Sequence, residues 1–144
     1  MLFKNILVPW DGSKYSNHAF KVALDMAKKY DSKIKLVTCL SRADTGASFQ
    51  DTSFNKDIFE TARKEITKTM SKLRNDAKTV GISASIDVIG TEAVVKQLVA
   101  SAKSGKTDLV VMGSHGRTGW KKMLLGSVAN GVSQQVHCPV LIVR

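Results

Sequence analysis

The sequence predicts one doubly wound α/β domain, a five-stranded parallel sheet in the order 3-2-1-4-5 with helices on both faces. Three observations predict it. The chain is 144 residues long, the size of a single domain able to bury a core. Its apolar periodicity switches between strand and helix from one end to the other. It carries no internal repeat or low-complexity tract, so five strand signals interleaved with four helix signals belong to one winding sheet, a single domain over residues 1–144.

In order, Phe3–Val8 is a short apolar run ending at Pro9, suited to a buried parallel strand. Ser16 is the expected cap of a helix through Tyr30, with Ala19, Phe20, Ala23, Leu24 and Ala27 as its core face. Ile34–Leu40 reads as the second strand, and Ser41–Phe54 as a polar loop. From about Asp57 to Val80, the residues Phe59, Ala62, Ile66, Met70, Leu73 and Ala77 step by three and four, an amphipathic stripe that Gly81 stops. Ala84, Ile86 and Val88 alternate with Ser85 and Asp87 in a third strand. Thr91 caps a helix carrying Val94, Val95, Leu98 and Ala102. Leu109–Met112 is the fourth strand, a helix lies around Ser127–Val136, and Val140–Val143 is the fifth strand.

Composition narrows the function. A hydrophobic content of 43% and a charged content of 24% are ordinary for a soluble domain. No apolar run approaches the roughly 20 residues that span a bilayer. The opening Met1–Val8 has neither a basic n-region before a long apolar stretch nor a cleavage site, so it reads as a strand. A cytoplasmic location with no membrane partner follows as the expectation. In that setting Cys39 and Cys138 are expected to be reduced, small core residues. Neither has histidines at metal-ligand spacing, which excludes a zinc site.

The net charge of +10 permits an anionic partner, nucleic acid or a phosphorylated small molecule. The densest basic group is Arg63, Lys64, Lys68, Lys72, Arg74 and Lys78. Lys64, Lys68 and Lys72 recur every fourth residue opposite the apolar stripe, as on a solvated helix face. No aromatic is interleaved to stack on bases, so nucleic acid ranks last among the partners.

In doubly wound sheets ligands sit beyond the carboxyl ends of strands where the winding reverses. Here that is between the first and fourth strands, followed by Pro9-Trp10-Asp11-Gly12-Ser13 and Gly113-Ser114-His115-Gly116. Glycines let backbone amides approach a phosphate, and Gly126-Ser127 opens the next helix, whose N–H groups and dipole favour an anion. Neither a Walker A loop nor a Gly-x-Gly-x-x-Gly fingerprint occurs. By itself the segment argues for an anion at a strand-to-helix turn, or for turn glycines alone. Asp11 is open in the same way, since Asp-Gly-Ser is also good turn chemistry. His115 reads as a solvent-side loop histidine and not a base, because no carboxylate partner can be named.

The spacing Gly-x2-Gly-x9-Gly-Ser, at Gly113, Gly116, Gly126 and Ser127, resembles that of the universal stress protein family, in its ATP-binding branch. So do the opening Ile6-Leu7-Val8-Pro9-Trp10-Asp11-Gly12-Ser13 and the ending Cys138-Pro139-Val140-Leu141-Ile142-Val143. The resemblance covers essentially the whole chain and is loosest over Ser41–Phe54. It implies ATP, with Mg²⁺ or Mn²⁺ carried by its phosphates and no dedicated metal residues. Asp11 would lie near the adenosine with Pro9 beside it, and Cys39 stands where the family offers a valine whose main chain meets adenine. Met112, Gly113, Gly116, Arg117, Gly126, Ser127 and Val128 complete the implied nucleotide site, Arg117 as a phosphate contact or a surface cation. A homodimer through Val140–Val143 and a protein partner of unknown identity are implied as well. The leading expectation is a regulatory, stress-response role through nucleotide-dependent conformation or partner binding. Slow ATP hydrolysis or self-phosphorylation around Ser114, His115 and Ser127 is the alternative, and a basic nucleic-acid binder the last.

Overall fold

The computed structural model describes residues 2–42, 52–117 and 124–144, with side chains in the second stretch from residue 56 on. Nine elements alternate: β1 (Asn5–Pro9), α1 (Lys14–Tyr30), β2 (Lys33–Leu40), α2 (Thr52–Thr79), β3 (Ala84–Gly90), α3 (Val94–Ser104), β4 (Leu109–Gly113), α4 (Ser127–Gln135) and β5 (Val140–Val143). The strands form one sheet in the order β3-β2-β1-β4-β5, with every pair parallel. This is the order expected from the sequence.

Successive strand residues point to opposite faces, and both faces are covered, so the central strands are apolar on both. Ile6, Val8, Ile34, Leu36 and Val111 pack with Ala19, Phe20, Ala23 and Ala27 of α1 and with Met70 and Ala77 of α2. Leu7, Val37, Val110 and Met112 pack with Leu98 and Ala102 of α3 and with Ala129 and Val132 of α4. Leu24, expected in the first core, is only half-buried at its edge. Cys39 and Cys138 are half-buried beside the second core and form no disulfide.

Several boundaries differ from the sequence expectation. The cap of α1 is Ser13, whose Oγ accepts the amide of Ser16 at 3.1 Å. Ser16 instead turns its own hydroxyl back to the carbonyl of Ser13 at 3.0 Å and is buried. Either serine satisfies the local pattern; the direction in which the chain leaves β1 decides between them. Thr91 does not cap α3. Its Oγ1 accepts the amide of Ala93 at 3.0 Å in a short turn, and Ala93 precedes the helix without a side-chain cap.

Helix α2 begins at Thr52, so the predicted loop ends earlier than Phe54; residues 43–51 lie outside the described residues. No Gly or Pro stands in Thr52–Lys56 to stop a helix, and extending an existing helix costs little. The third strand runs two residues past Val88 because Ile89 and Gly90 pair with Cys39 and Leu40. The first strand starts at Asn5 and includes Pro9, which pairs with Val37.

The two ends of the sheet are organised differently. At the amino end, Oδ2 of Asp108 accepts the amides of Lys4 (3.0 Å) and Asn5 (2.8 Å), tying the start of β1 to the start of β4. At the carboxyl end the connections from β1 and β4 lead in opposite directions, to β2 and to β5, and a crevice opens between them. Strand β5 lies at the sheet edge with Leu141 37% exposed. Among the described residues no helix is long and apolar enough to cross a membrane.

Candidate functional site

One lip of the crevice is the turn from β1 into α1. Trp10 is held by three bonds: its amide to the carbonyl of Val37 (2.9 Å), its carbonyl to Oγ1 of Thr38 (2.7 Å), and its indole Nε1 to Oδ1 of Asn17 (2.8 Å). The next residue, Asp11, therefore stands at the crest. Its Oδ1 accepts the amide of Ser13 at 2.9 Å, an Asx turn that leaves Oδ2 toward the opposite lip. Gly12 follows at φ +83°, a left-handed backbone that a side chain would strain.

The other lip is the segment after β4. The amide of Ser114 donates to the carbonyl of Val143 at 2.8 Å, and its carbonyl accepts the amide of Gly126 at 2.7 Å. The end of β4, the end of β5 and the start of α4 are thus one hydrogen-bonded unit. Glycines are required by close approach. A Cβ on Gly113 would stand 2.9 Å from the backbone of Tyr15, one on Gly126 3.0 Å from the Ser114 carbonyl, and one on Gly116 2.9 Å from Oδ2 of Asp11.

Gly126 is also the N-cap of α4, and it offers no side chain to the helix start. The first amide engaged within the helix is that of Asn130, on the carbonyl of Gly126 at 2.9 Å. The N–H groups of Ser127, Val128 and Ala129 precede that first bond and carry the positive end of the helix dipole. Such a terminus is a ready anion site.

Between the lips lies a cavity of about 450 Å³, within the range of small-molecule sites. All ten residues expected from the sequence line it: Pro9, Asp11, Cys39, Met112, Gly113, Gly116, Arg117, Gly126, Ser127 and Val128. The sequence reading missed Trp10, Ser16, Val37, Thr38 and Leu40 near the first lip and Ile66 of α2. It also missed Val94, Leu98 and Ala129 of the far wall. These apolar positions match an ordinary core pattern, and only the placement of α3 and α4 turns their edges toward a cavity. His115 is a correction: it is half-buried, lines the cavity and shares a hydrogen bond with Oγ of Ser114 at 2.9 Å, its ring 5.3 Å from that of Tyr15. Packing against Tyr15 of α1, invisible in sequence, covers part of its ring.

The lining is chemically mixed. Apolar Val37, Leu98 and Met112 line the cavity together with the carboxylate of Asp11 and the amide-rich start of α4. That arrangement suits a flat apolar ring, a hydroxyl-bearing middle and an anionic tail. Among the described residues no group of three or more His, Cys, Asp or Glu could hold a metal ion. One thiol away from the cavity is perturbed: burial, reinforced by the charge of Asp108, pushes Cys138 above its ordinary 9.0.

A family model described as the universal stress protein family matches residues 2–144. Universal stress protein MJ0531 of Methanocaldococcus jannaschii is 33% identical over 99% of this chain and 83% of its own length. Universal stress protein YxiE of Bacillus subtilis is 31% identical over 99% of this chain and all of its own length. The solved structure of MJ0577, also from Methanocaldococcus jannaschii, superposes with a TM-score of 0.87 at 25% identity, covering 99% of this chain and 96% of that one. Two others share the fold. A universal stress protein in complex with cAMP has a TM-score of 0.72 at 24% identity, covering 100% and 98%. One from Archaeoglobus fulgidus in complex with dAMP has 0.67 at 18%, covering both chains fully. With the family matched along residues 2–144 and relatives above 30% identity over nearly the whole chain, this protein belongs to the universal stress protein family.

Proposed function

We propose that the protein binds an adenine nucleotide, ATP first among them, in the cavity between β1 and β4 and acts as a nucleotide-responsive regulator. The observation that carries this reading is the uncapped start of α4 facing a glycine-walled cavity. Amides of Ser127 and Val128, with the hydroxyl of Ser127, hold the phosphates. The carboxylate of Asp11 repels phosphate and instead accepts from ribose hydroxyls. Adenine lies against Met112, with the main chain of Cys39 at its edge and Pro9 beneath the ribose. The cAMP and dAMP complexes of two family members support an adenine nucleotide over other phosphorylated ligands. Mg²⁺ or Mn²⁺ enters as the metal–nucleotide complex, its ligands coming from the phosphates.

The same reading places the protein in the cytoplasm, as a homodimer through the exposed edge of Val140–Val143, with a protein partner answering to nucleotide occupancy. Turnover ranks below regulation, because the hydroxyl of Ser114, although bonded to His115, is buried at 2% exposure. The test is equilibrium binding of ATP with Mg²⁺, alongside mass identification of any nucleotide released on denaturing the purified protein. Micromolar or tighter affinity that Gly126→Val abolishes is expected. No affinity for any adenine nucleotide would overturn the reading.

A further inference from the structure

Arg117 follows Gly116 on one lip of the cavity, yet its side chain is spent on the other. Its Nε donates to the main-chain carbonyl of Asp11 at 2.6 Å. Its Nη2 lies 3.4 Å, and its Nε 3.8 Å, from where a Cβ of Gly12 would stand. The guanidinium therefore lies beside Gly12, on the side a side chain would occupy. One residue earlier, the backbone of Gly116 meets Oδ2 of Asp11 so closely that a Cβ would stand 2.9 Å from it. The lips thus touch at two adjacent points, and Asp11, Gly116 and Arg117 all line the cavity. His115 adds a looser contact between the lips, its ring 5.3 Å from that of Tyr15, while the amide of Gly126 bonds Ser114, on its own side.

We propose that Arg117 is the latch of this cavity, a positioning residue that sets how fast ligand enters and leaves, and not a phosphate ligand. The assignment rests on the nucleotide reading of the site. A guanidinium bonded through Nε has its plane fixed by the acceptor, and a charge-assisted bond to a carbonyl is stronger than a neutral one. Lysine has no donor at that branch position, and its ammonium is strongly hydrated. A bond that joins the two lips hinders entry as well as exit. Removing it accelerates both steps while the dissociation constant changes little, as for other gating contacts.

The test compares wild type, Arg117→Met and Arg117→Lys by stopped flow with ATP–Mg²⁺ and with adenosine, which has no phosphate. In Arg117→Met the latch predicts on- and off-rates raised about tenfold for both ligands, with the dissociation constant within about twofold of wild type; Arg117→Lys falls between. Weakened ATP binding with adenosine unchanged makes Arg117 a phosphate ligand and overturns the proposal, as does no change with either. Amide exchange without ligand separates this failure from that of the nucleotide reading. The latch predicts about tenfold faster exchange at Gly12 and Ser13 in Arg117→Met, and unchanged exchange overturns it. Faster exchange in a protein that binds neither ligand upholds the lip contact and overturns the nucleotide reading alone.

Discussion

Gly116 and Asp11 meet across the mouth of the cavity so closely that a single added methyl on the glycine would stand 2.9 Å from Oδ2 of the aspartate. The aspartate has little room to retreat, since its other oxygen holds the amide of Ser13 at 2.9 Å. Gly116→Ala should therefore spread the lips and weaken ATP and adenosine alike, by about tenfold, or about 1.4 kcal/mol. Calorimetric titration with both ligands checks this; a loss confined to ATP would count against it.

Gly126 stands at the start of α4, on the cavity wall proposed to hold phosphates. A Cβ there meets backbone, the Ser114 carbonyl at 3.0 Å and Cα of His115 at 3.2 Å, so the start of α4 must shift. Gly126→Ala should cost ATP affinity at least tenfold more than adenosine affinity, because in the proposed site only the phosphates of ATP meet the amides of the first helical turn. The ratio of the two dissociation constants is the measurement.

Gly113 answers for the fold more than for the ligand. Its missing side chain lets β4 lie against α1, where a Cβ would stand 2.7 Å from Cβ of Tyr15 and 2.9 Å from its carbonyl carbon. Gly113→Ala overpacks that contact, at about 1–3 kcal/mol. For a chain of this length each kcal/mol lowers Tm by about 2–4 °C, which a thermal melt reads.

Asp108 tests the far end of the sheet. Asp108→Ala leaves the amides of Lys4 and Asn5 without their shared acceptor, a loss of about 1–3 kcal/mol. ATP affinity should be unchanged, because the cavity lies beyond the opposite ends of the same strands. Urea unfolding and ATP titration of one preparation check both halves.

Cys138 supplies a pH dependence. Burial, then the negative charge of Asp108, holds its pKa above 9.0, so at pH 8 less of it is thiolate than of an unhindered thiol. In Cys39→Ser, iodoacetamide should alkylate Cys138 in the folded protein more slowly than in urea. The folded-state rate should still climb past pH 9, where the urea rate levels off. Peptide mass spectrometry across that range reads the two curves.

What the sequence determined was whatever depends on local pattern. The period-two and period-3.6 stripes placed nine elements, and the common strand order of doubly wound sheets supplied their arrangement. The glycine spacing at 113, 116 and 126 marked one wall of a cavity, because close backbone approach admits no other residue. Tertiary structure decided the rest. Ser13 and Ser16 are equivalent as caps until the exit of the chain from β1 selects one. Val37, Leu98 and Ile66 are core residues in any local reading, and they line a cavity only where packed layers leave space between them. The hold of Arg117 on Asp11 joins residues more than a hundred positions apart, a distance that no periodicity reports and that only the closing of β1 against β4 brings to 2.6 Å.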